Sequence, residues 1–331
     1  MLRIFKILVI PLLFVKIGLC APQDSTSTKI EAIKVGLVFT GGGAKAAAQI
    51  GVLKVIEEAG IQIDMVSGTS MGSFIGALYA IGYDVNRIKE IFFQENWSEI
   101  MQGSEVYRSS LSMVEKKYDG RYIGVFPIRN WKINFPTGLQ KGQKLSQTIS
   151  RYTWPVNHIE DFSLFQRTFL CIATDLATGE AVVFDKGFLP EVIHASMTFP
   201  SLMEPIKIDG RLLVDGGLVR NLPASDLKER GADIIIAIDV SAPLYEQHEL
   251  NSIRRVIEQS ASYISVANTL QQKKMCDLVI TPDIYGYDFT SFEAIDILYE
   301  RGLEAGYEVL DELIKLTNSE KTKKIEKKRY C

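Results

Sequence analysis

The chain alternates between short, nearly continuous apolar runs and longer stretches in which apolar residues return every three or four positions. Lys34-Val-Gly-Leu-Val-Phe39 is a run of the first kind and reads as a buried strand. Thr40-Gly41-Gly42-Gly43 follows, a turn whose tightness only glycines allow. From Ala44 to Ala59 the apolar positions Ala48, Val52, Val55, Ile56 and Ala59 recur at helical spacing, and Gly60 supplies the stop. Ile61 to Val66 returns to strand character, Ser67 to Met71 reads as a second tight turn, and Gly72 to Ile81 as another helix. Strand, glycine turn, helix, strand, sharp turn, helix is the pattern of an α/β protein with a parallel sheet covered by helices. Ligands bind such sheets beyond the carboxyl ends of the strands, the edge to which both turns belong.

Further along, Thr168–Ala173 and Ile234–Ile238 read as buried strands, and Ile206–Ile208 with Arg211–Val214 flank Asp209-Gly210, a strong hairpin signal. Residues 250–270 and 292–316 have helical periodicity. Between 84 and 165 the pattern blurs; aromatics such as Phe92, Trp97, Tyr107, Tyr118, Tyr122, Phe126, Trp131, Phe135 and Trp154 do not divide into core and lid by spacing alone. The first twenty residues stand apart: Arg3 and Lys6 precede an apolar core from Ile7 to Val15, and small Gly18 and Cys20 lead to Ala21. That order reads as a secretory signal peptide, with a core too short to span a bilayer. Leu19 fits poorly before a lipid-modified cysteine. The expected organisation is a signal peptide over 1–20, a loose polar segment over 21–33, one domain over 34–316 and a lysine-rich, solvated tail over 317–331.

Charge and cysteine usage narrow the class. Loss of the signal removes Arg3, Lys6 and Lys16 and no acid, taking the formal charge from −3 to −6, the wrong sign for a nucleic-acid partner. Cys171, Cys276 and Cys331 then remain, an odd number without close spacing, which argues against a disulfide framework or a zinc site; Cys171 lies in an apolar run and reads as a small core residue. With only three histidines in 331 residues, no metal cluster stands out.

The chemistry concentrates in the two turns. Gly68-Thr-Ser70-Met71-Gly72 fits G-x-S-x-G, in which a strained strand-to-helix turn pushes a serine hydroxyl out of the sheet edge and glycines leave room for the crowded backbone. Gly41-Gly42-Gly43-Ala44-Lys45 places free backbone N–H groups at a helix start, where they can hold an anion. A dinucleotide phosphate is one such anion, since Gly41-x-Gly43-x-x-Ala46 satisfies a relaxed fingerprint and Asp64 follows at a suitable distance. Asp64, however, belongs near the start of its strand rather than the end, and a dinucleotide needs no exposed serine. The oxyanion of acyl transfer explains both turns together. The serine then requires a base. His194 and His158 are the histidine candidates, but His194 sits in an apolar, helical-looking stretch that suits a structural imidazole. A carboxylate can take the proton directly when burial lifts its pKa. Asp175, Asp215 and Asp239 each close an apolar strand; Asp215 is preferred because Gly216 and Gly217 permit close approach beside it, whereas Asp175 and Asp239 suit turn or cap hydrogen bonds.

Thr40-Gly-Gly-Gly-Ala-Lys45, Gly51-Val-Leu-Lys-Val-Ile-Glu-Glu-Ala-Gly60, Gly68-Thr-Ser-Met-Gly72 and Asp215-Gly-Gly217 together resemble the patatin-like phospholipases, above all the bacterial members related to the esterase domain of neuropathy target esterase. The resemblance extends through Ala173-Thr-Asp-Leu-Ala-Thr-Gly179, Ala195-Ser-Met-Thr-Phe-Pro200 and Asn221-Leu-Pro223, over about residues 34–310. It implies a three-layer α/β sandwich with a mainly parallel central sheet, and a Ser70–Asp215 dyad without histidine. It places the oxyanion hole at Gly41, Gly42 and Gly43, with Ala44 as a further donor; the elbow geometry adds the N–H of Met71. Gly68 and Gly72 then flank the nucleophile, Gly216 and Gly217 support the base, and Lys45 orients the loop or meets a lipid phosphate. The family usually carries glycine where this chain has Ala46; alanine is the better helix former, but a glycine needed for packing against the elbow would be missed here.

The function expected from these residues is lipid acyl hydrolysis of the phospholipase A, lysophospholipase or carboxylesterase type, with no cofactor and no metal. The expected partner is a membrane phospholipid or other lipid ester met by peripheral contact, and the expected location is outside the cytoplasm. A non-catalytic lipid-binding protein that keeps the fold is the rival from another class, and a dinucleotide oxidoreductase is the third.

Overall fold

In the computed structural model the described residues are 33–102 and 142–318, with short pieces at 113, 128–129, 132–133 and 138–140. The expected signal peptide, residues 21–32, the lysine-rich end from 319 and the aromatics Tyr107, Tyr118, Tyr122, Phe126, Trp131 and Phe135 lie outside them. In chain order the elements are β1 (Val35–Phe39), α1 (Ala46–Glu58), β2 (Met65–Thr69), α2 (Met71–Ala80), α3 (Val85–Gln94) and α4 (Trp97–Gln102). Then come β3 (Ile128–Arg129), β4 (Lys132–Ile133), β5 (Gly138–Gln140), α5 (Gln143–Thr153), β6 (Thr168–Asp175), β7 (Ala181–Phe184) and α6 (Leu189–Ser196). The last are β8 (Ser201–Met203), β9 (Ile206–Ile208), β10 (Arg211–Asp215), α7 (Ala224–Glu229), β11 (Ile234–Ile238), α8 (Ile253–Lys273), β12 (Leu278–Ile280) and α9 (Ile295–Glu308).

The main sheet runs β12-β11-β1-β2-β6-β10-β9, with β7 also paired to β6. β12, β11, β1, β2 and β6 are mutually parallel; β7, β10 and β9 join antiparallel. Because strand side chains alternate between faces, the apolar runs feed two cores. Leu37, Phe39, Val66, Phe169, Ile236 and Ile238 pack with α1, α2 and α9 on one side. Val38, Met65, Leu170, Ile235 and Ala237 pack with Ala224 and Leu227 of α7 on the other. The result is the three-layer α/β sandwich that the family resemblance implies, with a mainly parallel central sheet.

One feature of the sheet positions the site. Residues 168–172 of β6 pair with β2 and residues 173–175 pair with β10, while 171–174 pair with β7 along the opposite edge. β2 and β10 therefore meet head to head beside β6, with Thr69 opposite Ile172 and Asp215 opposite Ala173. Two distant segments thus end at adjacent positions.

Several boundaries differ from the sequence reading. β2 starts later and runs further than Ile61–Val66, taking in part of the expected turn. Ser67 and Thr69 stay in this buried strand because their hydroxyls donate to the carbonyls of Pro223 (3.0 Å) and Arg220 (3.1 Å), which removes the penalty for burying them. The first helix is delayed by a tight 3-10 turn over Gly43–Lys45. β7 and β12, four and three residues long, fall below what periodicity can register. The Asp209-Gly210 hairpin forms as expected, both residues being left-handed at φ 49° and 81°. Of the blurred aromatics, Phe92 and Trp97 are core and Trp154 is exposed.

Candidate active site

Ser70 lies between β2 and α2 with φ 53° and ψ −130°, a conformation that costs a non-glycine residue roughly 1–3 kcal/mol. The backbone on both sides is tied down. Its N–H donates to the Ser196 hydroxyl at 2.9 Å, and its carbonyl accepts from the Ser73 N–H at 2.8 Å and the Ser73 hydroxyl at 2.6 Å. The crowding needs the flanking glycines: a Cβ on Gly68 would lie 2.7 Å from the Ser73 Cα, and one on Gly72 2.8 Å from the Phe39 carbonyl oxygen.

The hydroxyl held by this bend donates to Asp215 Oδ2 at 2.6 Å. Asp215 Oδ1 accepts the N–H of Gly217 at 2.7 Å, and the Asp215 N–H donates to the Thr198 carbonyl at 2.8 Å. Gly216 presses on β6, where a Cβ would clash with the Ile172 carbonyl. Asp215 is buried. Burial pushes its pKa up to about 6, against the opposing hydrogen bonds from Ser70 and Gly217. Desolvation is the largest influence on this carboxyl.

The other base candidates are placed differently. His194 is buried in α6, its Nε2 has no hydrogen-bond partner among the described residues, and burial lowers its pKa to about 4. His158 is exposed. Asp175 Oδ1 accepts the Ala177 N–H at 2.9 Å, the turn bond expected of it. Asp239 Oδ1 accepts the Ser241 N–H at 2.9 Å, and its Oδ2 pairs with Lys273. Asp64 immediately precedes β2 and accepts the Val35 N–H at 2.8 Å, at the sheet edge away from the turns.

The glycine loop lies against the elbow: a Cβ on Gly41 would come within 2.8 Å of the Ser70 Cβ. Two of the expected oxyanion donors are nevertheless spent elsewhere. The Gly41 N–H donates to Asn221 Oδ1 at 2.9 Å, and the Ala44 N–H donates to the Phe289 carbonyl at 2.9 Å. Satisfying buried backbone amides outweighs leaving them open. Among the described residues nothing accepts from the N–H groups of Gly42 and Gly43, or from that of Met71 at the start of α2. Ala46 is fully buried with ordinary helical angles, φ −62° and ψ −17°, so its methyl group imposes no backbone strain. Lys45 is buried too; burial lowers its pKa to about 8 while Asp239 and Asp288 oppose the fall. That burial favours an orienting role in the loop over contact with a solvent-borne phosphate.

Two supports had no assigned role in the sequence reading. Asn221 also donates to the Gly41 carbonyl at 3.3 Å, so its amide clamps both sides of that residue across a separation of 180 positions. Ser196 steadies the nucleophile's amide from 126 positions away. Neither belongs to a local pattern; the motifs Asn221-Leu-Pro223 and Ala195-Ser-Met-Thr-Phe-Pro200 are the only sequence signals that touch them.

Comparison with known proteins bears on the family to which the chain belongs. A lysophospholipase, NTE1, of Kluyveromyces lactis is 28% identical over 308 residues, covering 84% of this chain and 19% of that protein. The corresponding nte1 lysophospholipase of Aspergillus niger is 31% identical over 305 residues, covering 84% and 18%. The chain thus spans about a fifth of the length of these curated relatives. Among solved structures, VipD from Legionella pneumophila has a TM-score of 0.47 at 14% identity, over 84% of this chain and 67% of that one. Residues 37–228, more than half of the sequence and including both turns and Asp215, match the family described as patatin-like phospholipase. The chain belongs to the patatin-like phospholipase family.

Proposed function

We propose that the protein is a lipid acyl hydrolase in which Ser70 is the nucleophile and Asp215 the only base. The single observation that carries the reading is the 2.6 Å hydrogen bond from Ser70 Oγ to a buried carboxylate whose pKa is lifted to about 6. Family membership and the lysophospholipase relatives support a lipid ester as substrate.

In the first step Asp215 Oδ2 takes the Ser70 proton as Oγ attacks the ester carbonyl carbon. The oxyanion forms within reach of the Gly42, Gly43 and Met71 N–H groups, each such donor being worth about 10²–10³ in rate. Collapse breaks the bond to the alkoxy oxygen, which leaves with the proton from Asp215. Water then loses a proton to the same carboxylate, attacks the acyl-enzyme and releases the fatty acid with Ser70 restored. The macrodipole of α2, which starts at the elbow, favours the negative charge at this point. Among the described residues no helix is long and apolar enough to cross a membrane; the proposed contact with lipid is peripheral.

The test is product analysis with phosphatidylcholine and lysophosphatidylcholine vesicles. The wild type is expected to release free fatty acid and Ser70→Ala to release none above background. Fatty acid release at the wild-type rate by Ser70→Ala would overturn the assignment.

A further inference from the structure

Two phenylalanines stack on each other from segments that are anchored at the site. Phe199 follows Thr198, whose carbonyl holds the Asp215 N–H and whose hydroxyl donates to the His194 carbonyl at 2.8 Å. The Phe199 carbonyl itself accepts the Met203 N–H at 3.0 Å. Phe289 comes from the loop after β12; its carbonyl accepts the Ala44 N–H, and a Cβ on Gly43 would lie 3.0 Å from the Phe289 Cβ. The Phe289 loop is fixed by Asp288, whose Oδ1 accepts the Thr290 N–H at 2.8 Å and the Thr290 hydroxyl at 2.6 Å. One ring is therefore anchored beside the base and the other on the oxyanion loop.

The rings stack on each other with centroids 5.5 Å apart and planes inclined by 16°. Neither is among the side chains packed against the hydrophobic cores. Phe199 is 38% exposed and Phe289 half-buried. A rigidly presented aromatic pair outside the core leaves apolar surface in water, and an aliphatic chain laid on it removes that surface. Since the carbonyl and Cβ of Phe289 abut Gly43, the pair is carried beside the oxyanion loop, where a chain leaving the carbonyl carbon can be laid on it.

We propose that Phe199 and Phe289 form the wall that receives the aliphatic chain of the reacting ester and sets its preference for long chains over short ones. This rests on the acyl-hydrolase reading. The chain can belong to the acyl part or to the alcohol part of the ester; the chemistry of recognition is the same, and two substrate series separate them.

The experiment measures kcat/KM for p-nitrophenyl butyrate and decanoate, and for butyl and decyl acetate, with the wild type, Phe199→Ala, Phe289→Ala and the corresponding leucine variants. The long-to-short ratio is expected to fall about tenfold or more in the alanine variants and to be largely restored by leucine. A fall in the p-nitrophenyl series assigns the wall to the acyl chain, and one in the acetate series to the alcohol. Phe289→Ala touches the oxyanion loop; should it fail to fold, Phe199→Ala carries the same readout away from the donors. Ratios unchanged within about twofold in Phe199→Ala, or long and short esters lost together in that variant, would overturn the proposal. Failure of the acyl-hydrolase reading looks different: the wild type then hydrolyses neither short nor long esters.

Discussion

Six aspartates at the ends of the parallel strands and β10 fall into two groups of three, one at each edge, and the two groups are bonded differently. At the edge where the parallel strands begin, Asp64, Asp233 and Asp277 immediately precede β2, β11 and β12. They accept the N–H groups of Val35, Lys34 and Ile235 across to the neighbouring strand or its entry, each at 2.8 Å. At the opposite edge Asp175, Asp215 and Asp239 each use Oδ1 to accept the N–H two residues on, from Ala177, Gly217 and Ser241. The first oxygen is thus bound alike in all three, and the second separates Asp215 from Asp239. In Asp239 it meets the Lys273 cation; in Asp215 it meets, among the described residues, the Ser70 hydroxyl. Under the proposed mechanism a buried carboxylate whose second oxygen faces a serine hydroxyl is placed to take its proton, whereas the same residue bonded across strand starts is a staple.

The largest effect expected from this contrast is at Asp215. Asp215→Asn should lower kcat/KM by about 10²–10⁴-fold while making the fold more stable at pH 7.5. The sign follows from linkage: a carboxyl near 3.8 unfolded and about 6 folded binds more protons when folded, so stability falls as pH rises between those values and the penalty is constant above. The full penalty is about 3 kcal/mol, offset in part by the weakened bonds to Ser70 and Gly217. Urea denaturation should show a net gain of about 1 kcal/mol; a loss of several would contradict the electrostatic picture.

Next in size is Asn221→Ala. Releasing both sides of Gly41 lets the oxyanion loop drift, and misplacement of that order costs about 10- to 100-fold in kcat. Steady-state kinetics with a soluble ester checks it, alongside circular dichroism to establish that the fold persists. Asp64→Ala and Asp277→Ala should each lose about 1–2 kcal/mol of stability with the specific activity of the folded protein unchanged, as read by denaturation midpoints and active-site titration.

The smallest expected signal is a cancellation. His194, near 6.5 unfolded and about 4 folded, contributes stability present above 6.5 and lost as pH falls through 4. Asp215 acts with the opposite sign over almost the same window, so these two groups should leave wild-type stability level within about 1 kcal/mol between pH 6 and 4.5. Asp215→Asn should uncover the His194 decline, and His194→Gln the Asp215 rise.

Much of this was legible in local sequence. Short apolar runs marked β1, β6 and β11, the first of them stopped by glycines, Asp209-Gly210 marked its hairpin, and two turn motifs marked Ser70 and the glycine loop. What local pattern does not carry is the head-to-head meeting of β2 and β10, which depends on which edge of β6 each strand takes. Asp175, Asp215 and Asp239 look alike for that reason; Gly216 and Gly217 tipped the reading toward Asp215, and the family resemblance pointed to the same residue, the one that the pairing brings to Ser70. The donor set was also overread. Five amides were expected, yet those of Gly41 and Ala44 are taken by Asn221 and Phe289, partners 180 and 245 positions away that no spacing rule reaches.

The most direct measurement is the pH dependence of covalent labelling of Ser70 by a fluorophosphonate, followed by mass spectrometry from pH 4.5 to 8.5 in wild type, Asp215→Asn and His194→Gln. If a lone buried carboxylate activates the serine, the wild-type rate rises through about pH 6 to a plateau, His194→Gln keeps that limb, and Asp215→Asn loses both limb and rate. A wild-type rate flat with pH, or a limb that survives in Asp215→Asn and vanishes in His194→Gln, would contradict it.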